Sequence, residues 1–304
     1  MNSKRKKSIQ WGVIFTLFMI CCRFIPDKLY IKVVYRYKMG RWIDWDNPET
    51  FNDKLQWMKL YNRRPEYTMM VDKYAVKEYV KNKIGEQYVV PNLFVWDRPE
   101  DIDFDMLPDK FVIKTTHDGG SRGCVICKDK QKLNRKETVR RLKKSMKNNL
   151  FYKYREWPYK NVKKRIIAEK FLENEDSSTL NDYKLYCFNG LVKCVCISNN
   201  RFLGDTEFDY FDDNFNRLPF SQGGPNSKKE IKKPQTFDEM KVIAEKLSSG
   251  IPHVRVDLYE VKGHVYFGEL TFFDSSGFKE FIPEEWDYKL GSWLELPEPT
   301  TSSN

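Results

Sequence analysis

Histidine is scarce, at three residues in 304. Cysteine forms no framework: seven residues, an odd number, scattered at 21, 22, 124, 127, 187, 194 and 196. A secreted disulfide scaffold is even in number and denser in a shorter chain, so reduced thiols of a cytoplasmic protein are expected. Cys124-x-x-Cys127 and Cys194-x-Cys196 come with no histidine cluster, which favours core thiols over a zinc site. No GK[ST] is present, so there is no Walker loop, and no Cys–His signature points to a hydrolase. No internal repeat is visible. The apolar run at 11–22 is only twelve residues; as a helix it would span about 18 Å, short of a hydrocarbon core of roughly 30 Å. Arg23, Phe24, Ile25 and Pro26 follow it where a cleaved signal peptide would place small residues.

What is present is charge and aromatic surface. Charged residues are 32% of the chain, which excludes a polytopic membrane protein, and the 15% of Phe, Trp and Tyr is enough for a core, which excludes a disordered one. The net charge of +10 is uneven. Residues 1–46 hold ten Lys/Arg against three Asp, and residues 128–165 hold sixteen Lys/Arg against three acids. Nucleic acid, anionic lipid headgroups and acidic glycans are partners such segments could serve. Lys4-Arg5-Lys6-Lys7 before the apolar run and Lys28, Lys32, Arg36, Lys38 and Arg41 beyond it suit a segment lying on an anionic membrane surface. A short signal anchor and an ordinary packed helix remain the other options.

Along the chain, Asn47-Pro48-Glu49-Thr50 starts a helix with Phe51, Leu55 and Met58 on one face. A second helix is predicted over 67–84, a short strand at 89–90 and an acidic loop at 91–108. Strands follow at 111–114, 124–127 and 165–172, with a helix over 134–149. Strands at 183–188 and 191–197 flank Asn189-Gly190, a strong hairpin signal. Phe237–Ser248 is an amphipathic helix, and strands at 254–260 and 265–270 form a hairpin around Gly263. The last ten residues are polar and read as a loose tail.

Three pieces carry chemistry. Lys114 ends a strand and precedes His117-Asp118-Gly119-Gly120-Ser121-Arg122-Gly123. Glycines let backbone N–H groups approach phosphate oxygens, and the lysine supplies a fixed charge; alone, the segment fits a plain glycine-rich hairpin as well. His117 could bind phosphate or shuttle a proton. The strand 165–169 runs into Glu169-Lys170-Phe171-Leu172, whose backbone could read an adenine edge. Asp257 and Glu269 are carboxylates inside apolar strands; unpaired burial of one would cost several kcal/mol, and a hard divalent cation would neutralise both. Register decides. A two-residue turn at 262–263 sends Asp257 and Glu269 to opposite faces. A three-residue loop, 261–263, sets Glu269 opposite Arg255 and one diagonal step from Asp257, all on one face. Metal binding thus requires the odd loop; a surface hairpin with alternating polar residues is the other outcome.

The order of these pieces resembles the ATP-grasp fold, and more closely the TupA-like ATP-grasp proteins of bacterial surface-polysaccharide (teichuronopeptide-type) biosynthesis. The stretches that carry the resemblance are NPETFNDKLQWMKLYNRRPEYTMMVDKYAVKEYV (47–80), REWPYKNVKKRIIAEKFL (155–172), DYKLYCFNG (182–190) and VRVDLYEVKGHVYFGELTF (254–272). The resemblance implies an α+β architecture of two lobes with antiparallel sheets clamping a nucleotide, preceded by a helical region. It implies ATP and Mg²⁺ as cofactors. Lys114 would contact the α/β phosphates, with Gly119, Gly120 and Ser121 as the phosphate lid; Glu169, Lys170, Phe171 and Leu172 would form the adenine hinge, with Glu175 for the ribose. Lys184 and Arg201 would face the γ-phosphate or acceptor, Asp257 and Glu269 would hold Mg²⁺, and Arg255 would stabilise a developing oxyanion. Thr271 stands where many members have Asn, so a second metal lacks its usual ligand unless Asp274 substitutes.

The implied reaction is carboxylate–amine ligation through an acyl phosphate. The implied partners are an acidic glycan or sugar-uronate, with the basic 128–165 segment as its holder, and an amine or amino acid; no nucleic acid is expected. A sugar kinase on the same scaffold, a glycosyltransferase using Asp212-Asp213, and a non-catalytic membrane-associated binding protein are the alternatives. The expected divisions are a membrane-associating segment (1–46), a helical subdomain (47–110), an N-lobe with the phosphate loop (111–172), a C-lobe with the metal site (173–292) and a loose tail (293–304). The expected location is the cytoplasm, at the inner face of the membrane.

Overall fold

A computed structural model describes residues 22–174, 180–199 and 206–300. The 11–22 run, Glu175 and Arg201 therefore lie, wholly or all but one residue, outside the described residues. Helix α1 (Asp27–Met39) buries Tyr30, Ile31, Val34 and Tyr35 and stops at Gly40, which takes a left-handed φ of 73°. Thr50 caps α2 (Phe51–Tyr61), its side chain accepting from the Asp53 N–H at 3.1 Å. The predicted face Phe51, Leu55 and Met58 is buried, but so are Asn52, Gln56 and Lys59, because α2 is enclosed on several sides.

The single helix expected over 67–84 is two, α3 (Glu66–Val71) and α4 (Val76–Ile84). Asp72 breaks them: its Oδ1 accepts from the Tyr74 N–H at 2.9 Å, a local turn that competes with the helix, while its Oδ2 binds Arg165 at 2.6 Å. The strand expected at 89–90 lies slightly later, at β1 (Asn92–Trp96); Val89 only bridges Phe267. The segment 47–110 is thus not purely helical, since β1 belongs to a sheet otherwise built from later residues.

That sheet is antiparallel, in the order β1–β4–β2–β3, with β2 (Phe111–Thr115), β3 (Cys124–Cys127) and β4 (Ile166–Lys170). Helix α5 (Arg135–Met146), capped by Asn134, closes one face over Phe111, Ile113, Ile166 and Ala168; it ends three residues short of the 134–149 prediction, and a separate short helix, α6 (Leu150–Tyr154), begins just beyond it. The larger sheet has β5 (Asp182–Phe188), β6 (Leu191–Asn199), β7 (Glu207–Asp212), β9 (His253–Val261) and β10 (His264–Thr271) in the order β10–β9–β5–β6–β7; β8 (Ser221–Gln222) pairs with β11 (Phe281–Ile282) apart from it. Helix α7 (Phe237–Ser248) turns Met240, Ile243, Ala244 and Leu247 inward as predicted. Asn189-Gly190 makes the predicted two-residue turn, with φ of 51° and 81°.

Among the described residues no helix is long and apolar enough to cross a membrane. Cys124, Cys127, Cys187, Cys194 and Cys196 are free thiols. The segment 293–300 is not loose: Leu294 is buried, and Thr300 donates its N–H to the Tyr61 carbonyl at 2.7 Å and accepts the Arg63 N–H at 2.9 Å. These bonds anchor a segment that composition alone marks as a tail.

Helix α8 (Glu285–Trp293) crosses the start of α2 at Gly291, where a Cβ would stand 2.2 Å from the Glu49 carbonyl oxygen and 2.9 Å from the Phe51 nitrogen. Alanine is the better helix former by about 1 kcal/mol, yet backbone atoms cannot yield as a flexible side chain would. Gly291→Ala is expected to destabilise the protein by about 1–3 kcal/mol in urea unfolding. A gain in stability would show that the two helices are not in backbone contact.

Candidate functional site

The hairpin β9–β10 resolves the register question in a third way. The turn is the two-residue one, Lys262-Gly263, with φ of 53° and 71°, pairing Val261 with His264 and Leu258 with Phe267. Continued, that register would separate Asp257 from Glu269. A bulge at Gly268 inserts the odd residue, so Glu269 pairs directly with Asp257 and Thr271, not Glu269, faces Arg255. The expected three-residue loop and Glu269–Arg255 pairing are corrected, but both carboxylates do share a face. Gly268 is needed for close approach: a Cβ there would lie 2.9 Å from the Tyr259 ring and 3.0 Å from the Asp257 carbonyl oxygen.

On that face Arg255 grips Asp257 through two bonds, 2.7 and 2.8 Å, touches the Thr271 hydroxyl at 3.2 Å and binds Asp274. Its Nη2 also lies 3.6 Å from Glu269. Lys184, opposite Asp257 on β5, bridges Asp182 and Asp257, the latter at 3.1 Å. Lys73 holds Glu269 at 3.1 Å. Burial alone would raise the Glu269 carboxyl, but Lys73, Arg255 and Lys184 outweigh it and hold the group well below the usual range. Burial would lower Lys184, yet Asp257 and Asp182 keep it charged.

On the smaller sheet Lys114 binds one oxygen of the buried Glu169 at 2.7 Å and Lys77 of α4 binds the other at 2.5 Å. The Glu169 carboxyl is lowered despite its burial, because both ammonium groups face it. Lys170 ends β4 exposed, and Phe171 and Leu172 leave the sheet half-buried. The glycine loop is rooted at its base and open at its tip. Asp118 is buried and accepts from the Gly119 N–H at 3.0 Å, Ser145 Oγ at 2.8 Å and Arg122 at 3.2 Å. Gly120, with φ of 69°, and Ser121 are exposed. His117 is buried with its Nε2 against the Ser145 carbonyl at 3.2 Å, so its ring anchors the loop and does not reach the acidic network.

Residues 119–123 also spell G-x-S-x-G, a match the expectation against a hydrolase passed over. The segment joins two antiparallel strands, not a strand to a helix, and its nearby histidine faces Ser145, so it is no nucleophile elbow. Asp212, the glycosyltransferase candidate, accepts from the N–H groups of Asn214 and Asn216 and closes a turn.

The residues that sequence reasoning missed join the two sheets. Lys73 donates its N–H to the Thr116 carbonyl and its Nζ to the Asp118 carbonyl, both at 3.0 Å, while holding Glu269. One ammonium therefore touches the root of the glycine loop and the candidate metal carboxylate. Lys73 and Lys77 stand at i and i+4 in a segment otherwise turned inward, which was the available signal. Behind the network, Asp274 begins a turn in which Ser275, Ser276 and Gly277 have φ of 47°, 58° and 61°. Gln56 donates to the Gly277 carbonyl at 2.6 Å, and Lys59 to that of Ser276 at 2.7 Å. Full burial brings Lys59 down to about 7, only partly offset by Glu156.

The oxygen donors of Asp257 and Glu269 suit magnesium, which takes one or two carboxylates and completes its shell with water and phosphate. Among the described residues no group of three or more acidic, His or Cys side chains is disposed to hold a metal by itself. Asp274, the extra ligand considered above, is engaged by Arg255, as Asp257 is.

The lysine-paired carboxylates make stability acid-sensitive. Glu169 and Glu269 titrate below the ordinary 4.5 when folded, so as pH falls the unfolded chain takes up protons first. Their contribution is full above about pH 5 and fades as pH drops through the depressed range. The melting temperature is expected to fall steadily below pH 5, and less steeply in Glu269→Gln; equal slopes would remove Glu269 from the linkage.

The family profile described as TupA-like ATPgrasp matches residues 53–295. No curated protein sequence matches the chain. Among solved structures, the ATP-grasp ligase PsnB with its minimal precursor is similar at 15% identity and a TM-score of 0.40, covering 72% of this chain and 59% of that one. The D-alanine–D-alanine ligase of Helicobacter pylori is similar at 16% identity and a TM-score of 0.41, with 75% and 62% covered. That of Bacillus anthracis is similar at 17% and 0.38, with 67% and 57% covered. The chain thus spans about three fifths of the length of these structures. With the profile running through both sheets, the chain belongs to the TupA-like ATP-grasp family.

Proposed function

We propose that the protein is an ATP- and Mg²⁺-dependent carboxylate–amine ligase that modifies a uronic-acid-containing bacterial surface polysaccharide, or its precursor, with an amino compound. The observation that carries this is Lys73, which brings the glycine-loop root and Lys114's sheet up to the Asp257–Glu269 face. Membership of the ATP-grasp family agrees with the cofactors proposed.

Lys114 and Lys73 supply fixed positive charge for a polyphosphate, and the exposed amides around Gly120 add donors at the loop tip. Asp257 and Glu269 would hold Mg²⁺, which would supply charge neutralisation for the phosphates. The acceptor carboxylate attacks the γ-phosphorus and ADP departs, leaving an acyl phosphate. The amine then attacks its carbonyl, phosphate leaves, and the ammonium proton passes to solvent. Arg255, held by Asp257 and Asp274, is oriented to stabilise the tetrahedral oxyanion. Support for an acidic acceptor comes from a groove of about 340 Å³ beside the glycine loop, where Arg122, Arg140, Arg141 and Lys144 outnumber the one acid, Glu137, which pairs with Arg140. Arg201 and Glu175 remain proposals for acceptor and ribose contacts.

The test is ADP release in the presence of paired uronic acids and amino acids, with hydroxylamine as a trap. Release that needs both partners, and a hydroxamate when the amine is withheld, is the expected result. Arg255→Lys should lower kcat by about 10²–10³ with little change in ATP affinity. An acid-stable phosphoester formed without any amine would replace the ligase with a kinase. Activity that requires a nucleotide sugar in place of ATP would replace it with a glycosyltransferase.

A further inference from the structure

Among the described residues, helix α1 packs one face inward and leaves the other largely exposed. Tyr30, Ile31, Val34 and Tyr35 pack inward. With 3.6 residues per turn, the opposite arc carries two adjacent stripes at four-residue spacing: Lys28, Lys32 and Arg36, and beside them Leu29, Val33 and Tyr37. Leu29 and Tyr37 are 52% and 48% exposed. Phe24, just before the helix, is 91% exposed, and Trp42, just after Gly40, is 55% exposed. The Lys32 ammonium and Arg36 guanidinium stand 5.7 and 5.8 Å from the Trp42 ring, so indole and cations form one surface. Lys28 lies 5.7 Å over Trp45.

Two of the three aspartates around this helix are engaged by neighbouring groups. Asp27 is bound by Arg63 and Arg155, and Asp44 folds onto the N–H groups of Asp46 and Asn47. A polyanion such as nucleic acid would use the cations and gain nothing from Leu29 or Val33. A bilayer interface uses both stripes: anionic headgroups meet the lysines and arginine, aliphatic groups enter the acyl boundary, and Trp and Tyr favour that depth. In sequence the helix follows Lys4-Arg5-Lys6-Lys7 and the apolar run 11–22, a second signal of the same kind.

We propose that the outward face of α1, with Phe24 and Trp42 at its ends, docks the protein on an anionic phospholipid bilayer with the helix axis in the membrane plane. The proposal is independent of the ligase chemistry. The test is co-sedimentation of the full chain with phosphatidylcholine vesicles, with and without phosphatidylglycerol, at low and high salt. Binding only to the anionic vesicles, weakened by salt, is expected. Lys32→Glu/Arg36→Glu and Leu29→Ser/Trp42→Ser should each reduce affinity about tenfold or more. All four side chains are exposed, so the melting temperature should not change; if one pair lowers it, the other pair decides. Full binding in both variants would overturn the proposal. So would loss confined to the charge variant and matched by equal loss of binding to an oligonucleotide, which would indicate a nucleic-acid surface.

Discussion

Four carboxylates and three cations meet at one face of the larger sheet, four of the seven buried, and the site depends on that balance. Asp182, Asp257, Glu269 and Asp274 are met by Lys73, Lys184 and Arg255. Each ion left unpaired there would cost several kcal/mol, and an apolar set of similar volume would be no less stable. Stability alone therefore does not account for so many charges in one place. Exchange does. A divalent cation accompanied by a polyphosphate brings both signs at once: the metal can take carboxylates while the phosphates take the lysines those carboxylates release. No buried charge need pass through an unpaired state as such a ligand enters.

Two local irregularities make this face possible, and both sit where regular structure fails. The bulge at Gly268 moves Glu269 by one position and turns it toward Asp257. The break at Asp72 stops a helix and frees Lys73 to reach the Asp118 carbonyl and Glu269 together. A continuous helix over 67–84 would fix the radial direction of Lys73 by the helical repeat, and a regular β10 would put Glu269 on the other side of the sheet.

The sequence made the hairpins and amphipathic helices legible because their signals are local. Asn189-Gly190 and Gly263 supply residues that accept positive φ, and Phe237–Ser248 shows its buried face by spacing alone. The bulge was hidden because a glycine within a strand does not say which register it interrupts. The helix break was hidden because Asp72 gains its second partner, Arg165, from far along the chain. The acidic pair and Lys114 stood out as charges in apolar strands, whereas Lys73 and Lys77 looked like ordinary helix-surface lysines. His117 misled in the opposite direction: its place beside the glycines suggested exposure, yet Ser145 and Asp118 draw the root of that loop inward.

The turn after β10 extends the site's scaffold beyond the sheets. Non-glycine residues at positive φ cost about 1–3 kcal/mol each, and such conformations persist only where surroundings over-determine them. Here Ser275 and Ser276 are held by α2, through Gln56 and Lys59 on the turn's carbonyls, and by Glu156 on the Ser276 hydroxyl. The beneficiary is Asp274, which meets Arg255 from the side opposite Asp257. A guanidinium gripped at two ends by buried carboxylates has little rotational freedom, so its orientation in the site is fixed. The buried polar face of α2 is therefore explained by chemistry two contacts away: Gln56 and Lys59 fix a turn, the turn fixes Asp274, and Asp274 fixes the arginine.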